Sequence, residues 1–144
     1  MEIRMINTLI KNETEQTRNA ILTLSEFCSV KCKCGKVKLT APNGNRYILR
    51  LNNDKLVIDF KPVDNVRVSY IEEKIIIRLF NLVRSNSNKK MKLRGEKMSD
   101  KGVELYPVPK TMRGFKERVS CIGFITEDMC VVISKRGILN VFKK

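Results

Sequence analysis

An alternating pattern on both sides of a turn is the feature that most limits how this chain can fold. In residues 35–51, apolar Val37 and Leu39 alternate with polar residues, and Pro42-Asn43-Gly44 supplies turn formers before the alternation resumes at Tyr47. This pattern predicts a β-hairpin with one apolar face, and that face requires a second layer to cover it. The basic residues of the segment fall on the other face: Lys36, Lys38, Arg46 and Arg50.

Short apolar runs bounded by turn residues predict further strands before and after the hairpin. In the first half, the predicted strands cover residues 29–34, 36–41, 46–51, 55–60 and 65–70. In the second half, they cover residues 115–125, 129–133 and 138–142. Strands this short, separated by regularly spaced turn signals, are typical of antiparallel sheets.

Between the two groups of strands the apolar period lengthens to three or four residues. Apolar side chains recur at this spacing across residues 71–84, and Glu72 and Glu73 lie in the first turn, where the helix dipole favours acidic groups. The pattern predicts a helix that lies across the preceding sheet. A β-branched run at residues 75–77 keeps a strand open as the alternative.

The predicted organisation is an α+β fold made of two small antiparallel sheet-plus-helix units, the second of them incomplete. Residues 1–27 form an amino-terminal arm of undetermined structure, 28–86 a first sheet-and-helix repeat, 87–102 a basic connector and 103–144 a partial second repeat. Part of the arm has one apolar helical face, made by Met5, Ile6, Leu9 and Ile10.

Composition narrows the range of functions. The 144 residues carry a formal net charge of +14, which favours a nucleic acid as the partner. Histidine is absent, so the usual general base and the commonest metal ligand are missing, and no nucleophile has an evident base. We therefore expect no catalytic residues, no enzyme activity and no cofactor. No apolar run approaches the roughly 18 residues of a membrane span.

Five cysteines allow two interpretations. Cys32 and Cys34 would share one strand face with Val30, which predicts small core side chains. The alternative is a zinc site formed by Cys28, Cys32 and Cys34, with a fourth ligand from Cys121 or Cys130, although their spacing lacks the paired Cys-x-x-Cys knuckles of such sites. We expect no metal site.

The hairpin at residues 36–51, with Ala-Pro-Asn-Gly at its turn, resembles an element of the large-subunit ribosomal protein L-six family, which has Gly-Pro-x-Gly there. Residues 114–124 resemble the Gly-aromatic, basic strand and Val-Gly-x-Gly-Tyr element that opens the family's second repeat. Residues 129–133 and Lys135-Arg136-Gly137 resemble the next strand and its turn, and residues 78–86 the helix between the repeats. The resemblance implies two duplicated units, no catalytic activity and binding to large-subunit ribosomal RNA beside neighbouring ribosomal proteins.

The chain departs from that family in two places. Residues 85–102 look like a basic insertion, and Lys144 comes soon after the second strand pair of the second repeat. A separate polypeptide completing that repeat is one explanation, and basic insertions replacing the missing contacts are the other. The small-subunit S-eight family is a competing resemblance, carried by residues 99–109 and 133–139, but it leaves the Pro-Asn-Gly hairpin unexplained.

These observations predict a structural constituent of the large ribosomal subunit that binds rRNA through basic surface residues. We expect this ribosome to be mitochondrial and, because no targeting leader is visible, we expect the protein to be made inside the organelle. A small-subunit protein, or a basic protein that binds an acidic partner, is the alternative. The predicted RNA-binding residues are Arg84, Lys89, Lys90, Lys92, Arg94, Lys110, Arg113, Lys116, Lys135 and Arg136.

Overall fold

The computed structural model describes residues 2–80, 82–84, 112 and 114–143. The chain divides into two compact units, Met1–Pro62 and Val63–Lys144. The described residues form three helices and two antiparallel sheets, of four and five strands. The predicted α+β class with two antiparallel sheets is confirmed.

Two helices begin the first unit, in residues 1–27, for which the sequence pattern predicts an arm without a defined structure. Helix α1 spans Glu2–Ile10 and helix α2 spans Glu15–Phe27. Thr14 caps α2, because its side-chain oxygen accepts a hydrogen bond from the backbone N–H of Thr17 at 3.2 Å. In the apolar stripe on α1, Ile6, Leu9 and Ile10 are buried, and α2 adds its own buried side chains: Ala20, Ile21 and Leu24. These short helices need tertiary packing to be stable, which explains why the local pattern did not predict both of them.

Four consecutive strands complete the first unit and match the predicted strands closely. They are β1 (Ser29–Lys33), β2 (Lys36–Thr40), β3 (Arg46–Asn52) and β4 (Lys55–Lys61), paired antiparallel in sequence order. Cys34 and Gly35, both with positive φ, form the two-residue turn between β1 and β2. The predicted hairpin is the β2–β3 pair.

The inner face of this sheet is the core of the first unit. Val37 and Leu39 of β2 and Tyr47 and Leu49 of β3 are completely buried. The ring of Tyr47 stacks on Phe60 of β4 with centroids 4.9 Å apart. Helix α1 contacts β1 and β3. Every outward residue of these four strands is exposed or half-buried and none is fully buried, so the helices lie on this inner face, and they are the second layer that the hairpin requires.

The second unit contains helix α3 (Tyr70–Phe80) and a sheet of five strands. The strands are β5 (Val66–Arg67), β6 (Val83–Arg84), β7 (Val119–Thr126), β8 (Met129–Ser134) and β9 (Ile138–Lys143), in the spatial order β5-β9-β8-β7-β6. Buried Val119, Ile122, Cys130 and Val132 form a core cluster with Met112. None of the three described helices has the length and apolar character that a bilayer crossing requires.

One expectation about residues 65–84 is wrong. The strand predicted at residues 65–70 does not extend the first sheet, because Val66 pairs with Leu139, and Val141 donates its backbone N–H to the Asp64 carboxylate at 2.9 Å. The predicted helix forms over Tyr70–Phe80 and contacts β7. These contacts join residues far apart in sequence, which local periodicity does not report. The expected connector at 87–102 and the start of the segment at 103–144 lie outside the described residues.

A cationic sheet face as the candidate nucleic-acid interface

The outer face of the first sheet collects most of the basic side chains of the first unit. Because neighbouring residues of a strand point to opposite faces, the residues that alternate with the buried core all point outward. Strand register aligns them in rows, with Lys31 beside Lys38, and Thr40 beside Arg46 and then Lys61. We call this surface the cationic face; its basic members are Lys31, Lys33, Lys36, Lys38, Arg46, Arg50, Lys55 and Lys61.

Only one carboxylate stands among these eight cations in the described strands. Asp59 of β4 accepts a hydrogen bond from Nε of Arg50 at 3.2 Å, and both side chains are about one-third to two-fifths exposed. At that exposure the ion pair is screened by water and contributes little stability. The face therefore keeps a large positive excess, and Asp59 also holds Arg50 in place.

Like charges lie directly opposite each other in three register pairs of this face. Lys31 is the register partner of Lys38, Lys33 of Lys36, and Arg46 of Lys61. Side chains opposite each other in an antiparallel pair have Cβ atoms about 4.5–5.5 Å apart, where like charges destabilise the pair. An anionic partner lying across the strands would relieve this repulsion.

The dimensions of the face suit an extended anion. Four strands at about 4.8 Å spacing span ~14 Å, and seven residues at about 3.3 Å rise extend ~23 Å along β3 or β4. Half-buried Ile48 and Val57 occupy its centre, and no aromatic residue stands on its outward positions. Its outward positions therefore offer flexible lysine and arginine side chains, which are able to contact phosphate groups, and no aromatic ring on which a base could stack.

Six of the ten predicted RNA-binding residues lie outside the described part of the chain: Lys89, Lys90, Lys92, Arg94, Lys110 and Arg113. The other four belong to the second unit, and none is on the cationic face. Predictions for these residues are neither strengthened nor weakened by the geometry of the first sheet.

Three of the remaining four lie around one turn. Lys135 and Arg136 occupy the turn between β8 and β9, and the backbone N–H of Lys135 donates to the carbonyl of Arg118 at 2.8 Å. This contact brings the turn to the segment that contains Lys116. Nε of Arg136 donates to Glu117 at 2.5 Å, and this hydrogen bond raises the pKa of the arginine. Lys116, Lys135 and Arg136 are all exposed, and the charge of Arg136 is offset by Glu117.

Arg84 has a structural partner. It lies on β6, and its Nη1 is 3.6 Å from a carboxylate oxygen of Glu73, a buried residue of α3. The same oxygen, Oε2, accepts a hydrogen bond from the Ser120 hydroxyl at 3.0 Å. Together, these two contacts compensate for the burial of the Glu73 carboxylate between α3 and the sheet. The charge of Arg84 is therefore partly used by Glu73 and is less available to an external anion.

The cysteines are arranged differently from the expected core. Cys28 is buried, but Cys32 and Cys34 are exposed, because Cys32 lies on the edge strand β1 and Cys34 lies in the turn rather than in a strand. Burial raises the pKa of Cys121 and of Cys130 to about 12, so both thiols stay protonated. The described residues contain no group of three or more ligand-type side chains placed to hold a metal ion.

Half of the cationic face is visible in the sequence pattern of the hairpin. That pattern identifies Lys36, Lys38, Arg46 and Arg50 on the outer side of the hairpin, but none of them is among the predicted binding residues. The other four are Lys31, Lys33, Lys55 and Lys61, which lie on the flanking strands. Their alternation with apolar residues was a usable signal, but only the register shows that all eight share one surface.

Comparisons of this chain with family models, with curated proteins and with solved structures find no match.

Proposed function

We propose that this protein is a non-catalytic RNA-binding protein that contacts phosphate groups through its cationic face. On the resemblance described above, we further propose that it is a structural constituent of the large subunit of a mitochondrial ribosome. In that role the sheet holds rRNA backbone in a defined position relative to neighbouring ribosomal proteins.

One observation carries the RNA-binding proposal: the outward positions of the first sheet present eight basic side chains and a single carboxylate. A surface that only kept the protein soluble would gain more from mixed charges, because adjacent lysines such as Lys31 and Lys38 repel each other. A polynucleotide offers phosphates at regular intervals and matches both the extent and the sign of the face.

The ribosomal part of the proposal rests on the resemblance of the hairpin and of residues 114–137 to the L-six family. It does not use the duplication that the resemblance implies. In the first unit both helices precede the strands, whereas in the second unit α3 lies between β5 and β6. The proposal concerns the RNA contacts of the cationic face, which lies on the first sheet.

The direct test is the salt dependence of binding to a fully base-paired RNA hairpin. The test variant replaces four lysines of the cationic face by glutamine: Lys31, Lys33, Lys36 and Lys38. The control variant removes the same charge from exposed positions elsewhere: Arg4, Lys11, Lys74 and Arg78. Each phosphate contact contributes about 0.7–0.9 to the slope of log K against log salt, so the test variant should lose about 3 from the slope.

An equal loss of slope in the two variants would show that charge alone, and not this face, governs binding. Tighter binding of the wild-type protein to polyglutamate than to RNA would favour an acidic protein partner and overturn the proposal.

The ribosomal assignment has its own test. The native protein should sediment with large subunits at physiological salt, and crosslinking should join the cationic face to rRNA. Sedimentation with small subunits would favour the S-eight alternative. Absence from both subunits would reject a ribosomal role while leaving RNA binding to be judged by the salt titration.

A further inference from the structure

A pocket of about 670 Å³ opens in the first unit beside the cationic face. Met5 and Leu9 of α1 and Leu51 of β3 provide apolar lining, and the turn residues Cys34 and Gly35 form part of the rim. Its volume is in the range of sites that hold small ligands. Leu51 is 40% exposed, which leaves apolar surface open to solvent next to a strongly charged area.

Two residues belong to both the pocket and the cationic face. Lys36 and Arg50 line the pocket, and they are also outward members of β2 and β3. Val37 pairs with Leu49, so the antiparallel register continued by one residue places Lys36 opposite Arg50. The cationic face therefore adjoins the partly apolar pocket at these two residues.

We propose that this pocket receives one unpaired nucleotide of the RNA that binds the cationic face. The base lies against the apolar lining, and the phosphates on either side of it contact Lys36 and Arg50. This inference rests on the proposed RNA-binding function and adds that the preferred RNA is a helix interrupted by a bulged nucleotide.

The chemistry of the lining supports a base as the occupant. A base has apolar faces and polar edges, and the pocket combines Met5, Leu9 and Leu51 with the polar groups of Thr8 and Cys34. The Thr8 hydroxyl donates to the carbonyl of Arg4 at 3.0 Å, which leaves its oxygen lone pairs as acceptors. An apolar peptide would leave the two cations at the rim without partners, whereas a nucleotide brings its own phosphates.

The experiment compares two RNAs that differ by one nucleotide: a fully paired hairpin and the same hairpin with a single bulged residue. We expect the wild-type protein to bind the bulged RNA about tenfold more tightly, because the base buries apolar surface. Thr8→Phe should fill the pocket and remove this preference without changing affinity for the paired RNA. Asn7→Phe is the matched control, since Asn7 is exposed on the same helix and does not line the pocket.

A second readout uses the two exposed thiols. In Cys32→Ser the remaining exposed thiol is Cys34, which lines the pocket, and in Cys34→Ser it is Cys32, which does not. Bulged RNA at saturation should slow alkylation of Cys34 several-fold more than saturating paired RNA does, whereas the two RNAs should protect Cys32 equally. This comparison remains informative if Thr8→Phe fails to fold.

The outcomes separate the two proposals. If the wild-type protein binds both RNAs with equal affinity and a steep salt dependence, the pocket proposal is wrong and the RNA-binding proposal stands. If it binds neither RNA, both proposals are wrong. A preference for the bulged RNA that survives Thr8→Phe, with equal protection of Cys34 by both RNAs, assigns the bulge to another surface and overturns the inference.

Discussion

Lys31 of β1 lies directly opposite Lys38 of β2, and both side chains are on the outward face of the first sheet. An isolated sheet gains nothing from two opposed ammonium groups, since like charges at cross-strand positions destabilise the pair. The same two groups are well placed to contact a polyanion that crosses the strands. The opposition of these two lysines therefore links a local loss of stability to the proposed binding surface.

Replacing Lys31 by threonine should stabilise the free protein. The substitution removes the repulsion from Lys38 and adds a β-branched residue, and we expect a gain of about 0.2–1 kcal/mol at low salt. Denaturant unfolding measures the change, and the part due to repulsion should shrink as salt screens the charges. Lys55→Thr is the control, because Lys55 is on the same face but opposite neutral Asn52. An equal, salt-independent gain at both positions would show that strand propensity alone is responsible.

Replacing Asp59 by asparagine should strengthen RNA binding. The change removes the carboxylate beside Arg50 and frees the guanidinium, so the salt slope for a paired RNA should steepen by about one phosphate contact. Stability should fall by no more than about 1 kcal/mol, since the ion pair is partly exposed. Asp54→Asn makes the same charge change in the turn between β3 and β4, and its effect on the slope should be smaller. Weaker RNA binding by Asp59→Asn would contradict the proposal that RNA binds at the cationic face.

The buried thiols of Cys121 and Cys130 predict a loss of stability in alkali. Burial raises the pKa of each from 9.0 to about 12, and the nearby Glu73 carboxylate adds to the effect at Cys121. At pH values between these two pKa values, the thiols of the unfolded chain release protons that the same thiols retain in the folded protein. The free energy of unfolding should therefore fall as pH rises above 9, by up to about 1.4 kcal/mol per pH unit for each thiol.

The measurement compares unfolding at about pH 8 and pH 10 in the wild-type protein and in a Cys121→Ala, Cys130→Ala variant. The variant should be less stable at both values because it has lost buried volume, but its stability should depend less on pH. An unchanged pH dependence would show that other groups cause the alkaline loss.

Gly123 in β7 allows the segment before β6 to approach closely. A Cβ atom at this position would lie 3.0 Å from Cα of Leu82 and would overlap the Leu82 side chain. Gly123→Ala should therefore destabilise the protein by about 1–3 kcal/mol, as overpacking of a buried site does. Unfolding of Gly123→Ala, Leu82→Ala and the double variant tests the cause. The loss of unfolding free energy in the double variant should be smaller than the sum of the losses in the two single variants. Strict additivity of the losses would contradict a steric contact between the two residues.

Period-two alternation was sufficient to predict the four strands of the first sheet, because apolar residues at every second position identify a face that must be buried. It also predicted which side chains point outward. The hairpin residues Lys36 and Arg50 were identified correctly as outward, and the α+β class followed from the change of period at residue 71.

Contacts between residues distant in sequence had to come from the tertiary structure. The pairing of Val66 with Leu139 and the packing of α3 against β7 assign residues 65–80 to the second unit, although their local patterns are equally compatible with the first. The same reason applies to the candidate site. Alternation decides only which face of its own strand a lysine occupies, whereas register decides which lysines of other strands lie beside it.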